Sequence, residues 1–193
     1  MPFLRPRLLA VFVLLVAAGA IGVLYVIQPG PVHAVLRPPL DLAKLFVQPR
    51  PLATPAVAFA ESDGKRDTLA SFQGHYVLLN LWATWCTPCV RELPQLARLK
   101  SALPRLAVVA VNVGRNDVAQ TAAFLKSHAA DGLSVYVDSD AALIRAFDAQ
   151  GLPFSVLVDP KGREIARAIG PCEWGTQTAV TYLRTLTAPR SAS

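Results

Sequence analysis

The chain has 193 residues, of which 53% are apolar and 17% charged, with a formal net charge of +6. That balance excludes a disordered, charge-rich chain, and three cysteines are too few for a disulfide-stapled scaffold. Five of the basic residues (Arg5, Arg7, Arg37, Lys44, Arg50) but only one acid (Asp41) fall within residues 1–50. The remainder therefore has no strong basic field for nucleic acid.

In chain order, residues 1–7 read as a short cytoplasmic N-terminus. Residues 8–27 form a 20-residue run without a charge, enough to cross a hydrocarbon core of about 30 Å as a helix. Arg5 and Arg7 precede it and no Lys or Arg follows before residue 36. The expectation is a single transmembrane anchor with everything beyond it outside the cytoplasm. A cleaved signal peptide would have a shorter apolar region and a better small-residue cleavage site than Val32-His33-Ala34. Residues 28–55 hold seven prolines and read as a semi-rigid spacer. A domain is expected over 56–188, followed by a tail over 189–193.

Within that domain, 57–60 and 68–69 read as a strand pair around the turn Asp63-Gly64-Lys65. Residues 76–83 form a nearly continuous apolar run, as in a strand covered on both faces. Helical spacing follows over 88–102, then a strand at 106–113 and a helix at 118–128 capped by Asn116 or Asp117. A strand at 134–137, a helix at 141–147 and a strand at 154–158 come next. The turn Pro160-Lys161-Gly162 leads to a hairpin partner at 164–168, and a helix at 174–186 closes the chain. This order predicts an α/β domain with a mixed central sheet flanked by helices and an N-terminal β-hairpin, preceded by one transmembrane helix.

The chemistry concentrates in Trp82-Ala83-Thr84-Trp85-Cys86-Thr87-Pro88-Cys89, where a buried strand runs into Cys-x-x-Cys and a helix follows. Two cysteines so spaced at a helix start can close a small disulfide. The free N–H groups and positive dipole end of the helix stabilise a thiolate there. Cys86 is expected to be the exposed nucleophile and Cys89, one turn in, the covered resolving thiol. Thr87 and Pro88 complete the active-site loop, with proline in the first turn where a missing N–H costs little. A structural zinc half-site would need two further ligands at zinc spacing. Only Cys172, His33, His75 and His128 remain, and no metal is expected. A peroxidase is a further alternative.

The segments WATWCTPC followed by VRELP, then GLPFSVLVDPKG and IGPCEW, together resemble the TlpA/ResA group of membrane-anchored thioredoxin-like proteins over roughly residues 56–187. The resemblance implies a thioredoxin fold and dithiol–disulfide exchange outside the cytoplasm. It implies no cofactor beyond the redox-active disulfide Cys86–Cys89. Its partners would be protein disulfides, of apocytochrome c or copper-site proteins, and a membrane electron donor that re-reduces the pair. Carried over by position, Trp85 is the aromatic that shields the pair, Pro153 the cis-proline opposite it, and Leu152 offers backbone groups to a bound peptide. Glu92 matches a glutamate near the pair that relays the proton of Cys89. Asn80 stands where many thioredoxins have a buried aspartate, and Pro94 matches a kinking proline. Phe154 departs from the small residue usual after the cis-proline, which suggests a larger apolar contact for substrates. Cys172 replaces an alanine and is read as a small buried residue, the alternative being a third reactive thiol. Trp174 and Phe124 read as core residues, His75 and His128 as surface.

These expectations point to a periplasm-facing, membrane-anchored thiol–disulfide oxidoreductase that reduces partner disulfides. A disulfide-forming oxidase, a copper(I)-binding chaperone using the same pair and a redox-inactive docking module are the alternatives.

Overall fold

A computed structural model describes residues 37–188. The expected cytoplasmic N-terminus, anchor and C-terminal tail lie outside them. Among the described residues no helix is long and apolar enough to cross a membrane.

Eight strands form one mixed sheet: β1 (Leu45–Ala53), β2 (Ala58–Glu61), β3 (Arg66–Thr68), β4 (Tyr76–Trp82), β5 (Leu106–Asn112), β6 (Tyr136–Val137), β7 (Phe154–Val158) and β8 (Arg163–Ile169). Their order across the sheet is β1-β8-β7-β4-β5-β6-β2-β3. Central β4 runs parallel to β5 and antiparallel to β7. β2 and β3 form the expected hairpin. Among the described residues four α-helices flank the sheet: α1 (Thr87–Ala102), α2 (Val118–Ser127), α3 (Ala142–Ala146) and α4 (Gln177–Leu186). α2 opens with a full capping box, in which the Asp117 carboxylate accepts the Gln120 N–H while the Gln120 side chain accepts the Asp117 N–H.

Alternation along the strands separates two apolar layers. Leu78 and Trp82 of β4, Val108 and Ala110 of β5 and Leu157 of β7 face a core built with Leu93, Leu96 and Leu99 of α1 and Ala179 and Leu183 of α4. Val77, Leu79 and Leu81, with Val109, Val111, Phe154 and Val156, face the other way onto Phe59, Leu69, Leu143 and Phe147. The same parity sends Asn80 and Ser155, both buried, toward the α1 side.

The spacer expected over 28–55 is corrected from residue 37 onward. The compact unit begins at Arg37. A 3-10 turn (Leu40–Leu42) delivers Leu42, fully buried, and Leu45 into the α1-side core. β1 then pairs antiparallel with β8 at the edge of the sheet. The prolines that suggested a spacer are compatible with this strand because an edge strand has one row of N–H groups that needs no ladder partner. Pro49 and Pro51 fall where the β1–β8 register shifts, between Val47 and Leu52. The closing helix also starts later than expected, at Gln177, because the Thr176 hydroxyl accepts the Ala179 N–H and caps it there.

If residues 37–53 belong to the folded unit, truncating its most buried side chain is costly. Leu42→Ala is expected to lower unfolding free energy by about 2–5 kcal/mol, read from urea denaturation. A spacer residue would show a change within about 0.5 kcal/mol.

Candidate active site

The site grows from the end of β4. Parallel pairing on β5 and antiparallel pairing on β7 fix that strand, and its last carbonyl, of Trp82, accepts the Val113 N–H at 2.9 Å. The chain then turns, with the Cys86 N–H donating to the Ala83 carbonyl at 3.0 Å, and enters α1. Cys86 is the N-cap of α1, and its sulfur accepts the Cys89 N–H at 3.4 Å. Pro88 sits in the first turn. Cys86 and Cys89 are joined by a disulfide.

Exposure differs from expectation at Cys86. It is 6% exposed against 1% for Cys89, so the nucleophile candidate is nearly covered. Its position at the N-cap turns the sulfur toward the helix amides. The open part of the loop is Trp85, 73% exposed, together with exposed Thr87. Thr84, one residue earlier, donates to the Asn116 side-chain oxygen at 3.1 Å and ties the loop to the segment before α2.

β7 brings Pro153 to the same end of the sheet. Phe154 pairs with Leu81, so Pro153 lies beside the end of β4 that feeds the cysteine loop. The Leu152–Pro153 peptide is cis. Pro153 is buried and Leu152 half-buried. The Pro153 carbonyl accepts the Gly170 N–H at 2.9 Å. Gly170 has φ +98°, a left-handed conformation that favours glycine. Phe154 does not widen the substrate contact, as its sequence position had suggested. It is fully buried on the opposite face, packed on Phe147 and under the Arg167 guanidinium. Strand parity turns it away from the cysteines.

Glu92 occupies the next turn of α1, three residues after Cys89 and therefore on the same helix flank. It is 2% exposed. Its Oε1 accepts the Trp174 indole N–H at 2.7 Å and the Cys172 backbone N–H at 2.9 Å. Its Oε2 accepts from the Asn80 amide nitrogen at 3.0 Å, and that nitrogen also donates to the Ser155 hydroxyl at 2.9 Å. Among the described residues the Asn80 oxygen has no hydrogen-bond partner. Burial pushes the Glu92 carboxyl up from the usual 4.5 to about 7, against the lowering effect of its three donors, while the Glu173 charge adds a small push in the same direction.

Glu92 was singled out in the sequence by position alone. Trp174, Ser155 and the Cys172 amide were missed as its partners. One signal was available for Trp174: a buried indole N–H ordinarily needs an acceptor. Cys172 is 3% exposed, and its thiol is raised to about 12, first by burial and then by the Glu92 charge. Trp174 is fully buried, Phe124 half-buried against the same core, His75 exposed and His128 half-buried. Among the described residues no three His, Cys, Asp or Glu side chains gather as a metal site.

A family profile described as Redoxin matches residues 51–183. The thiol-disulfide oxidoreductase ResA of Bacillus subtilis (strain 168) is 33% identical over 118 residues, covering 60% of this chain and 65% of that protein. The chain thus spans just under two thirds of that relative's length. The thiol-disulfide oxidoreductase ResA of Bacillus thuringiensis subsp. konkukian (strain 97-27) is 26% identical over 182 residues, covering 93% of this chain and 96% of the relative. Among solved structures, a thiol:disulfide interchange protein of the thioredoxin family from Chlorobium tepidum TLS superposes with TM-score 0.56 at 25% identity, over 69% of this chain and 96% of that one.

Two outcomes follow from the burial of these groups. Glu92 holds its proton to higher pH in the folded chain than in the unfolded one. Its contribution to stability is complete below the usual 4.5 and is lost as pH rises through about 7. Between those limits the wild-type unfolding free energy is expected to fall by roughly 3 kcal/mol, and Glu92→Gln to flatten that slope in pH-dependent urea titrations. In a Cys86→Ser, Cys89→Ser background, Cys172 is expected to resist alkylation at pH 8 until denaturant is added.

Proposed function

We propose a reducing role outside the cytoplasm for this chain, which belongs to the redoxin family and is a thiol–disulfide oxidoreductase. The observation that carries the reading is a buried carboxylate, held by three donors, one helical turn beyond a disulfide-forming cysteine pair whose first member caps the same helix. The helix N-terminus favours a thiolate at Cys86. Near-complete burial of the pair and a negative charge at Glu92 oppose one. Where thiolates are disfavoured, the dithiol gives up its electrons more readily, which inclines the pair toward reduction of partners.

In this scheme the reduced Cys86 thiolate attacks one sulfur of a partner's disulfide. The partner S–S bond breaks, a partner thiolate leaves, and a mixed disulfide forms. Glu92, in its carboxylate form, accepts the proton of the Cys89 thiol. The Cys89 thiolate then attacks the Cys86 sulfur, the mixed disulfide breaks, and the second partner thiolate is released. Two electrons pass to the partner and this chain is left with the Cys86–Cys89 disulfide, the form seen here. Leu152 and cis-Pro153 form the wall against which the partner backbone lies, and exposed Trp85 offers it an apolar contact. Thr87 and Pro88 shape the loop. No cofactor beyond the disulfide is involved.

The apolar run at 8–27 with Arg5 and Arg7 before it supports a single-pass anchor and a periplasm-facing domain. Thiols in that compartment tend to be oxidised, so a membrane electron donor must re-reduce the pair. Among partners, cysteine-bearing haem and copper-site proteins, apocytochrome c included, fit a chain tethered at the respiratory membrane.

The test is the reduction potential of the Cys86–Cys89 pair, equilibrated against dithiothreitol and glutathione. A value below about −200 mV, toward the thioredoxin end of the range, supports the reductase. A value near about −120 mV would make the pair an oxidant and reverse the assignment. Cys86→Ser is expected to abolish exchange.

A further inference from the structure

The loop that holds Glu92 is itself held from a distant part of the chain. Cys172 and Trp174 supply both donors to Glu92 Oε1. Between and after them, the Glu173 N–H donates to the Asp41 carbonyl at 2.8 Å. The Thr176 hydroxyl donates to Asp41 Oδ2 at 2.7 Å while accepting the Ala179 N–H that starts α4. The Lys44 backbone faces the Cys172 thiol and partly offsets the upward push that burial gives it. Leu42, fully buried between these two residues, fixes the segment in the core. Asp41, Leu42 and Lys44 all precede residue 51, where the Redoxin match begins.

We propose that residues 41–44 are a clamp for the active-site carboxylate, and that Asp41 is a positioning residue for disulfide exchange. Asp41 orders the loop over 172–176, and the loop aims its Cys172 amide and Trp174 indole at Glu92 Oε1. A carboxylate with two donors locked on one oxygen keeps its other oxygen in a fixed direction, where it meets Asn80. Loosening the loop weakens those two bonds and favours the neutral acid over the carboxylate. The ionisable groups that face Glu92 are Glu173 and the Cys172 thiol. Asn80, Ser155 and Trp174 are neutral partners. The clamp's effect on turnover rests on Glu92 being the proton acceptor proposed above, but its effect on Glu92 itself does not.

The experiment follows the Glu92 carboxyl band by infrared difference spectroscopy against pH. It uses the full chain in detergent, with Glu92→Gln assigning the band. Asp41→Ala is expected to move the midpoint upward by roughly half a pH unit to one unit, the size of one weakened hydrogen bond. It should also speed amide exchange at Cys172 and Glu173 without speeding it in β4 or β5. Asp41→Asn, which keeps an oxygen for the Thr176 hydroxyl, should stay near wild type. Thr176→Val approaches the same contact from the other side and should shift the midpoint alike. The double variant should shift it no further than either single one. A midpoint that stays put or falls in both Asp41→Ala and Thr176→Val overturns the clamp, even if turnover still depends on Glu92. A shifted midpoint with an unshifted pH profile of turnover supports the clamp and removes Glu92 from the proton path.

Discussion

Glu92 places a carboxylate between α1 and the sheet, where almost no water reaches it, and a charge in such a place must be answered by donors or give way to the neutral acid. Much of the surrounding architecture is the answer. Asn80 sits mid-strand on β4 with its side chain on the α1 face, and Ser155 on β7 lies opposite it in register. From the far side come an indole and a backbone amide of the loop over 172–176. The donors come close to balancing the charge without doing so fully, and the group settles near neutrality. A better-solvated glutamate would be ionised throughout the physiological range. One buried without donors would hold its proton beyond it. Proton exchange at ambient pH needs the intermediate condition.

The same carboxylate ties the two ends of the described chain to the cysteine pair. Cys86 and Cys89 are fixed by α1, whose register on the sheet is set by Leu93, Leu96 and Leu99. Glu92 rides on that helix. Its partners belong to β4, β7 and the loop ahead of α4, and the loop is pinned in turn by Asp41. Displacement of any of these elements is felt at one carboxyl group. The disulfide is local to one turn of helix, whereas the environment of the carboxyl group in the next turn is distributed over more than a hundred residues of sequence.

This distribution explains what could and could not be read from the amino-acid order. β4 and α1 were legible because a continuous apolar run and a 3.6-residue period survive without knowledge of neighbours, and Cys-x-x-Cys between them carries its chemistry in its spacing. β1 was not. Pro49 and Pro51 signal a spacer unless the strand is known to lie at an edge, and edge position is a property of the whole sheet. Phe154 was misread because proximity to Pro153 in sequence says nothing about which face a strand residue takes. Its parity with Val156, not with Ser155, sends it away from the site. The Trp174–Glu92 bond joins residues 82 apart, and no periodicity encodes that.

Cys172 shows how the network also bears on a thiol outside the cysteine pair. A third cysteine near a redox-active pair is a hazard, because any thiolate can enter disulfide exchange at Cys86 and Cys89. Burial alone raises its proton affinity, and the Glu92 charge, held against the Cys172 backbone N–H, raises it further. The residue whose amide stabilises the carboxylate is thus the one whose thiol that carboxylate keeps protonated. Low thiolate population makes Cys172 a poor nucleophile, and it lies buried in the same core as α1. A serine would keep the amide at that position but would bring a hydroxyl needing its own partner beside a carboxylate already served by three donors. A cysteine, which packs as a small apolar group, makes no such demand.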